Sequence, residues 1–591
     1  KDMNFNLDLK LNTNLKNFYL WIPSNLFWVF SLIGLFVWII LGPISWRHFD
    51  DFGPIHEYIT NDFSFKSWEL FIKDRLVAGW GSYPPIWTIW QLISFPFAKI
   101  GLNQARNILM LQGFLSSLIT GYLTTCLCLN FYTYIFQYKS YQIKKVKYFI
   151  EILSVSLNCF NPEIMFHASS YMPYNLSAIT SISFLLLLFP QKYNYFEKNK
   201  TFENNIFKIP LAYFLFFCFL SLFFSFQSTI IFLAFFIAFF KKIINKKFLL
   251  KDISFVNFKK FIFLIKQVFS SIQKKFLFIF LLLFLFLVFS YSYKFFVLLA
   301  TDTKAGTWST GIDNLYDLNF SENDLKSWLI KSLNNTSSII GLSLYPFRIF
   351  QDSISKLLSI FVIISFYIYF RSNKYLNLFF FNTIFVFLTT ITLSGLDKFI
   401  YAPTRHTIYL YPYIWVIFII SLVRIFVFFE QRFKRRLSFN LINLSLCLYL
   451  FYLIGLSNSH DVIQYSNADR VKLINLAKNA DFHINLPYSF FPSHGSKEYR
   501  AFNFKTCDSK IDINKSKFFI FSHRDFAKKF LNNEYLKDIL IQNSKGCVMK
   551  TDKIRVIDKI ESLRRFDIEQ NNNIYNGGSS IYAYLIEVYK E

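Results

Sequence analysis

Two adjacent carboxylates, Asp50 and Asp51, stand in RHFDDFGPIHEY, directly after the first long apolar run. A carboxylate at a membrane edge can take the proton of a hydroxyl nucleophile, which is general-base work. Cations able to face a phosphate occur at Arg75, Arg106, Lys304 and Arg405, with His406 beside the last. A guanidinium suits that task because its planar fork matches phosphate oxygens. Glu163 and His167 add an acid and an imidazole in NPEIMFHASSYMPYN, and Tyr83 opens YPPIWTIW. Each has a plainer reading too. The acids fit a solvated helix end, and Arg405 fits a cation snorkelling from a helix start. Glu163 and His167 fit the polar end of a short loop, and Tyr83 with Pro84 and Pro85 a turn into a helix.

The elements that must hold these residues are mostly apolar. The chain has 591 residues, of which 54% are hydrophobic and only 17% charged, which makes it a polytopic α-helical membrane protein. The first apolar run lacks a small-residue cleavage site and so reads as a span and not as a signal peptide. Abundant Phe, Ile, Lys and Asn point to an AT-rich genome, hence a bacterium. Runs of about 20 residues predict about eleven spans: 24–44, 106–134, 146–161, 175–190, 206–223, 226–240, 276–297, 354–371, 375–395, 407–429 and 438–456. Their interiors are nearly free of acid.

The net charge of +26 invites a nucleic-acid partner, but its distribution argues against one. Loops 137–147, 191–208, 241–275, 371–374 and 430–437 hold 24 basic and 4 acidic residues. Loops 43–105, 161–174, 298–353 and 396–406 hold 11 basic and 14 acidic ones. The positive-inside rule then puts the N-terminus and the first set in the cytoplasm and Asp50–Asp51 outside. The split requires that IWTIWQLISFPFAKI, about 15 residues with Pro96 inside, lie along the outer interface. SFKSWELFIKDRL carries apolar residues at helical spacing (Phe65, Trp68, Phe71, Ile72, Leu76) and reads as a second interfacial helix. In the loop 298–353, SEND at 321–324 reads as a helix N-cap.

Beyond about residue 457 the chain turns polar. Strand-like runs (FHINL, KFFIF, IYAYLIEV) alternate with helix-like ones (RVKLINLAKNA, DFAKKFLNNEYLKDIL), which predicts an extracytoplasmic α/β or α+β domain over 457–591 after a membrane domain over 1–456. Cys507 and Cys547 share that segment and could pair in an oxidising compartment. The other five Cys lie in apolar runs and read as packing residues. No CxxC or Cys/His cluster marks a metal site.

Four features together resemble the GT-C superfamily of membrane glycosyltransferases, in its aminoarabinose transferase and protein O-mannosyltransferase branch. FDD at 49–51 resembles the acidic pair after the first helix, with Asp51 in place of the usual Glu. YPPIWTIWQLISFPFAKIG at 83–101, followed by Arg106, is similar to the Pro-Pro helix and the Arg that opens the next span. NPEIMFHASSYMPYN sits where the family has a polar second outer loop, though without its Asp-centred motif. APTRHTIYLYP at 402–412 resembles the late Pro-x-Arg segment.

The resemblance, over about residues 24–430, implies an inverting transfer of a sugar from a polyprenyl-phosphate donor to a lipid, glycan or protein acceptor outside the cytoplasmic membrane. Asp50, matching the first acid of the pair, would be the base, Asp51 its companion, and Arg405 the group that meets the leaving phosphate. Arg106, Arg75, Lys304, His406, His167, Glu163 and Tyr83 would line the substrate. Some GT-C enzymes use a divalent metal and this branch generally does not; no second acidic cluster stands beside Asp50–Asp51, and no cofactor is indicated. An O-antigen ligase or polymerase is a rival, but it would concentrate its Arg and His in a large late outer loop. A transporter or flippase would carry charges in mid-span or paired half-repeats, and neither is evident.

Overall fold

The computed structural model describes residues 22–41, 102–135, 140–161, 164–165, 175–189, 230–231, 233–235, 237–238, 325–344, 351–371, 376–396, 401, 405–432, 443–455, 476, 479–484, 513–523, 533–544, 546–562 and 581–590. These residues are mostly helical. The helices are α1 (Asn25–Leu41), α2 (Leu102–Ile135), α3 (Ser140–Cys159), α4 (Leu176–Leu188), α5 (Leu325–Leu344), α6 (Gln351–Ser365), α7 (Leu376–Gly395), α8 (Tyr411–Arg432), α9 (Asn443–Gly455) and α10 (Asn533–Asn543). A π turn, Phe366–Phe370, extends α6, and a 3-10 turn, Arg405–Leu410, leads into α8.

Among the described residues four helices are long and apolar enough to cross a membrane: Met110–Tyr132, Ser353–Phe370, Leu376–Gly395 and His406–Phe428. Each coincides with an expected span. Shorter apolar helices occupy Asn25–Ile40, Leu176–Leu186 and Asn443–Gly455, again within expected spans. The expected spans 206–223 and 276–297, most of 226–240, both interfacial helices and SEND lie outside the described residues.

Several hydroxyls inside the bundle are satisfied within their own helices. On α2 the hydroxyls of Ser117, Thr120, Thr124 and Thr125 donate to the carbonyl four residues back, which removes their need for water in an apolar interior. Gly121 brings α3 close: a Cβ there would stand 3.3 Å from the Ser154 carbonyl oxygen. Small residues of this kind let helices approach where lipid offers no hydrophobic drive to associate.

Contacts along the helices give their directions. Ser24 and Trp38 meet Glu151 and Cys159 in that order, so α1 and α3 run parallel. Ser116 meets Asn175 and Asn130 meets the Phe189 carbonyl, so α2 and α4 run parallel. Asn161 and Trp415 share the Ser343 carbonyl while Phe149 packs on Phe426, so α3 opposes α8. Phe131, Phe189 and Phe370, at the ends of α2, α4 and α6, cluster around Phe379 at the start of α7. The end at which α1, α3, α5 and α7 finish is termed the upper end.

Helix α5 falls within the expected outer loop 298–353. It lies antiparallel alongside α6, with Ser337 against Ser359 and Gly341 so close that a Cβ would run into Ser355. Lys326, Lys331, Asn334 and Asn335 dilute its hydropathy, so its length goes unseen in an apolar-run reading, although its apolar residues recur at helical spacing. Its C-terminal half is buried, and its start is exposed at Leu325, Leu329, Ile330 and Leu333.

The C-terminal segment forms a four-stranded mixed sheet in the order β1-β2-β4-β3, with β1 Phe482–Ile484, β2 Ser516–His523, β3 Lys553–Ser562 and β4 Ile581–Tyr589. β1 and β2 are parallel, and β4 runs antiparallel to both of its neighbours. Leu536 and Leu540 of α10 join Phe518, Ile520, Tyr584, Ile586 and Val588 in a core separate from that of the bundle. Strands β1, β2 and β4 match the expected runs; β3 was not expected. It is an edge strand with a bulge between Val556 and Asp558, a feature that discourages edge pairing. Cys547 is disulfide-bonded; Cys507, its expected partner, lies outside the described residues, as does the expected boundary at 456/457.

Candidate functional site

The upper end of the bundle is where the described parts of the expected site converge. Asn161, the first residue of NPEIMFH, is buried and its Nδ2 donates to the carbonyls of Leu342 and Ser343, 3.0 Å from each. The Met165 amide donates to the Asn161 carbonyl at 2.9 Å, so the chain turns on this residue. Asn175, the last residue of the stretch, donates through Nδ2 to the Ser116 hydroxyl of α2. Its Oδ1 is buried without a hydrogen-bond partner among the described residues. The stretch is thus pinned at both ends, at Asn161 by α5 and at Asn175 by α2. Glu163 and His167, between the pins, lie outside the described residues.

Arg405 heads the 3-10 turn that precedes α8. The turn is wedged into the bundle: the Tyr409 carbonyl accepts a 2.7 Å hydrogen bond from Ser181 of α4, and the Tyr409 hydroxyl pairs with Thr390 of α7. Thr407, Ile408, Tyr409 and Leu410 are buried, while His406 is half-buried. Tight wedging of residues 407–410 fixes the backbone on which Arg405 stands at the upper end. Arg106 sits within α2, ten residues before Ser116. At about 1.5 Å per residue its backbone is roughly 15 Å beyond the Ser116–Asn175 contact. Asp50, Asp51, Arg75, Tyr83 and Lys304 lie outside the described residues.

Three features went unread in the sequence. Asn161 and Asn175 are the anchors of the second expected outer loop, signalled only by amides placed where apolar runs end. Tyr409 stitches the Arg405 turn to α4 and α7. Glu151, inside an expected span, is buried beside Lys147 at 3.8 Å; a Lys and a Glu four residues apart in an apolar run are the signal for it.

No protein-family model matches the chain, and no curated protein matches it.

Proposed function

We propose that the chain is a membrane glycosyltransferase that moves a sugar from a polyprenyl-phosphate donor to a lipid, glycan or protein acceptor at the outer face of the cytoplasmic membrane, with inversion. Asp50 takes the acceptor proton, Asp51 positions it, and Arg405 meets the charge that develops on the leaving phosphate. One observation carries the reading. The turn headed by Arg405 and both pins of the 161–175 stretch stand at the end of the bundle where α1 finishes, nine residues before Asp50. Under the charge split this upper end is the outer one. Base and phosphate partner must flank the anomeric carbon, so they belong to different elements at one end, as Asp50 and Arg405 do in the sequence.

The test is transfer from synthetic polyprenyl-phosphate sugars by the full chain in lipid nanodiscs. Asp50→Asn should lower the rate by about 10²–10⁴-fold, the usual contribution of a general base. Full transfer by both Asp50→Asn and Asp51→Asn would return the pair to the status of a solvated helix end.

A further inference from the structure

Helix α1 is a peripheral helix. Trp28, Leu32 and Phe36, spaced four apart, are 50%, 64% and 64% exposed and form a stripe suited to lipid. Apolar packing against lipid does little to fix how such a helix is rotated or how far it is inserted, because lipid tails are as apolar as its own side chains. Directional polar contacts must do so. Such contacts join the start and the end of α1 to α3. The Ser24 amide donates to Glu151 Oε1 at 3.0 Å, and the Ser24 hydroxyl pairs with Glu151 Oε2. Lys147 Nζ donates to the Ile22 carbonyl at 2.6 Å and stands 3.8 Å from the Glu151 carboxylate. At the other end Trp38 Nε1 donates to the Cys159 carbonyl at 2.7 Å. Ser24 also accepts from the Phe27 amide through its hydroxyl, so it caps α1 while Glu151 holds the cap. In a capping box the carboxylate comes from the same helix, three residues on; here it comes from α3.

We infer that Glu151 is a positioning residue, which sets the register of α1 against α3 and so fixes the height and rotation at which α1 ends, at Leu41, relative to Asn161. This rests on the proposed role of the acid pair. In the sequence the acid pair follows α1, which ends at Leu41, by nine residues, and the Asn161 stretch follows α3, which ends at Cys159, by two. Slipping α1 by one residue shifts its end by about 1.5 Å and turns it by about 100°. A displacement of about 1 Å at a reacting group can cost on the order of 10²-fold in rate.

The test reads register without activity. A Cβ built at Gly34 lies 3.5 Å from the Cβ of Cys159, a separation that suits a disulfide, and Cys159 is a free thiol. In the full chain in native membranes, Gly34→Cys should cross-link to Cys159 under a lipid-permeant oxidant, read by mass spectrometry, whereas Ile33→Cys and Leu35→Cys should not. Adding Glu151→Leu should lower the cross-link at 34 several-fold and raise it at 33 or 35. Glu151→Gln, which keeps an acceptor for the Ser24 amide, should restore it. If Glu151→Leu fails to accumulate, Ser24→Ala carries the same measurement. In the transfer assay Glu151→Leu should lose about ten-fold or more in kcat at unchanged donor KM, with Gln rescuing. An unaltered cross-link pattern in Glu151→Leu and Ser24→Ala overturns the inference, as does a shifted pattern with full transfer. Absence of transfer by the unsubstituted protein refutes the proposed function while the cross-link pattern still decides whether Glu151 sets the register.

Discussion

The indole Nε1 of Trp415 donates to the carbonyl oxygen of Ser343 at 2.9 Å, where α5 ends inside the bundle. The last carbonyls of a helix have no partner within it, and a buried one left bare costs about 1–3 kcal/mol. Asn161 serves the Leu342 and Ser343 carbonyls, and the Tyr452 hydroxyl serves that of Leu344. Elements from α3, α8 and α9 therefore cap one buried helix end.

Because two donors share the Ser343 oxygen, their removal should be non-additive. Trp415→Phe should lose about 1 kcal/mol of hydrogen-bond stability in the membrane, and Asn161→Leu, which also strips the Leu342 carbonyl of this donor, about 1–3 kcal/mol. The double variant should lose about 1 kcal/mol more than the sum, when the carbonyl is left bare. Equilibrium unfolding in mixed micelles measures the cycle; simple additivity would mean that the carbonyl finds another donor.

Arg405 separates phosphate recognition from snorkelling. If its fork grips the leaving phosphate, Arg405→Lys keeps the charge yet should still lose about ten-fold or more in transfer, and Arg405→Ala about 10²–10³-fold. A snorkelling cation would be replaced by Lys without loss. Initial rates over a range of donor concentrations decide between them.

The disulfide at Cys547 bears on topology, since such bonds persist in oxidising compartments. Rapid alkylation of intact cells should leave Cys547 unmodified until reductant is added, and a membrane-impermeant maleimide should label Ser496→Cys from outside. A free Cys547 thiol in alkylated cells would place the sheet in the cytoplasm. Cys547→Ser should destabilise the full chain by about 2–4 kcal/mol, seen in its melting curve.

Acid should weaken the β3–β4 edge. Arg555 and Glu587 are directly opposed across the strands and meet at 2.9 Å. The Tyr589 hydroxyl, donating to the same carboxylate, holds Glu587 below the usual carboxylate range, and Arg555 adds to the effect. A lowered folded-state pKa stabilises above the unfolded value and fades as pH falls through the folded one. Glu587→Gln should therefore melt lower than the parent at pH 7. The gap should close as pH falls through and below the usual carboxylate range, and Tyr589→Phe should make it close at a higher pH. A gap that persists at pH 2 would assign the effect to packing.

What the sequence reveals depends on the range of the interaction. Apolar runs locate α1, α2, α4, α6, α7, α8 and α9 because burial in lipid writes itself into consecutive residues. Short runs rich in aromatic and β-branched residues, KFFIF and IYAYLIEV, locate β2 and β4. In β3, KIRVIDKIES, charges at an exposed edge interrupt the pattern, and Ile557 is the extra residue of a bulge. Helix α5 hides for a related reason, since lysines and asparagines share its length with the apolar face. Local signals mark Asn161, Asn175 and Glu151 as polar residues out of place, two amides where apolar runs end and one acid four residues after Lys147. Their partners at Leu342, Ser116 and Ser24 are far off in the chain, and no local spacing encodes them.

The clamp between Ser24 and Glu151 also imposes an order on biogenesis. Its partners are 127 residues apart, so when the ribosome has finished α1 the carboxylate that caps it has not been made. At about 5–20 residues per second, the nascent helix waits on the order of 6 to 25 seconds for α3. Throughout that interval α1 sits in the translocon or the lipid with an unheld start, free to turn about its axis. Arrival of α3 therefore fixes the orientation of a helix already delivered. A nascent chain arrested after Ile135 should hold α1 in the bilayer with no preferred face toward α2.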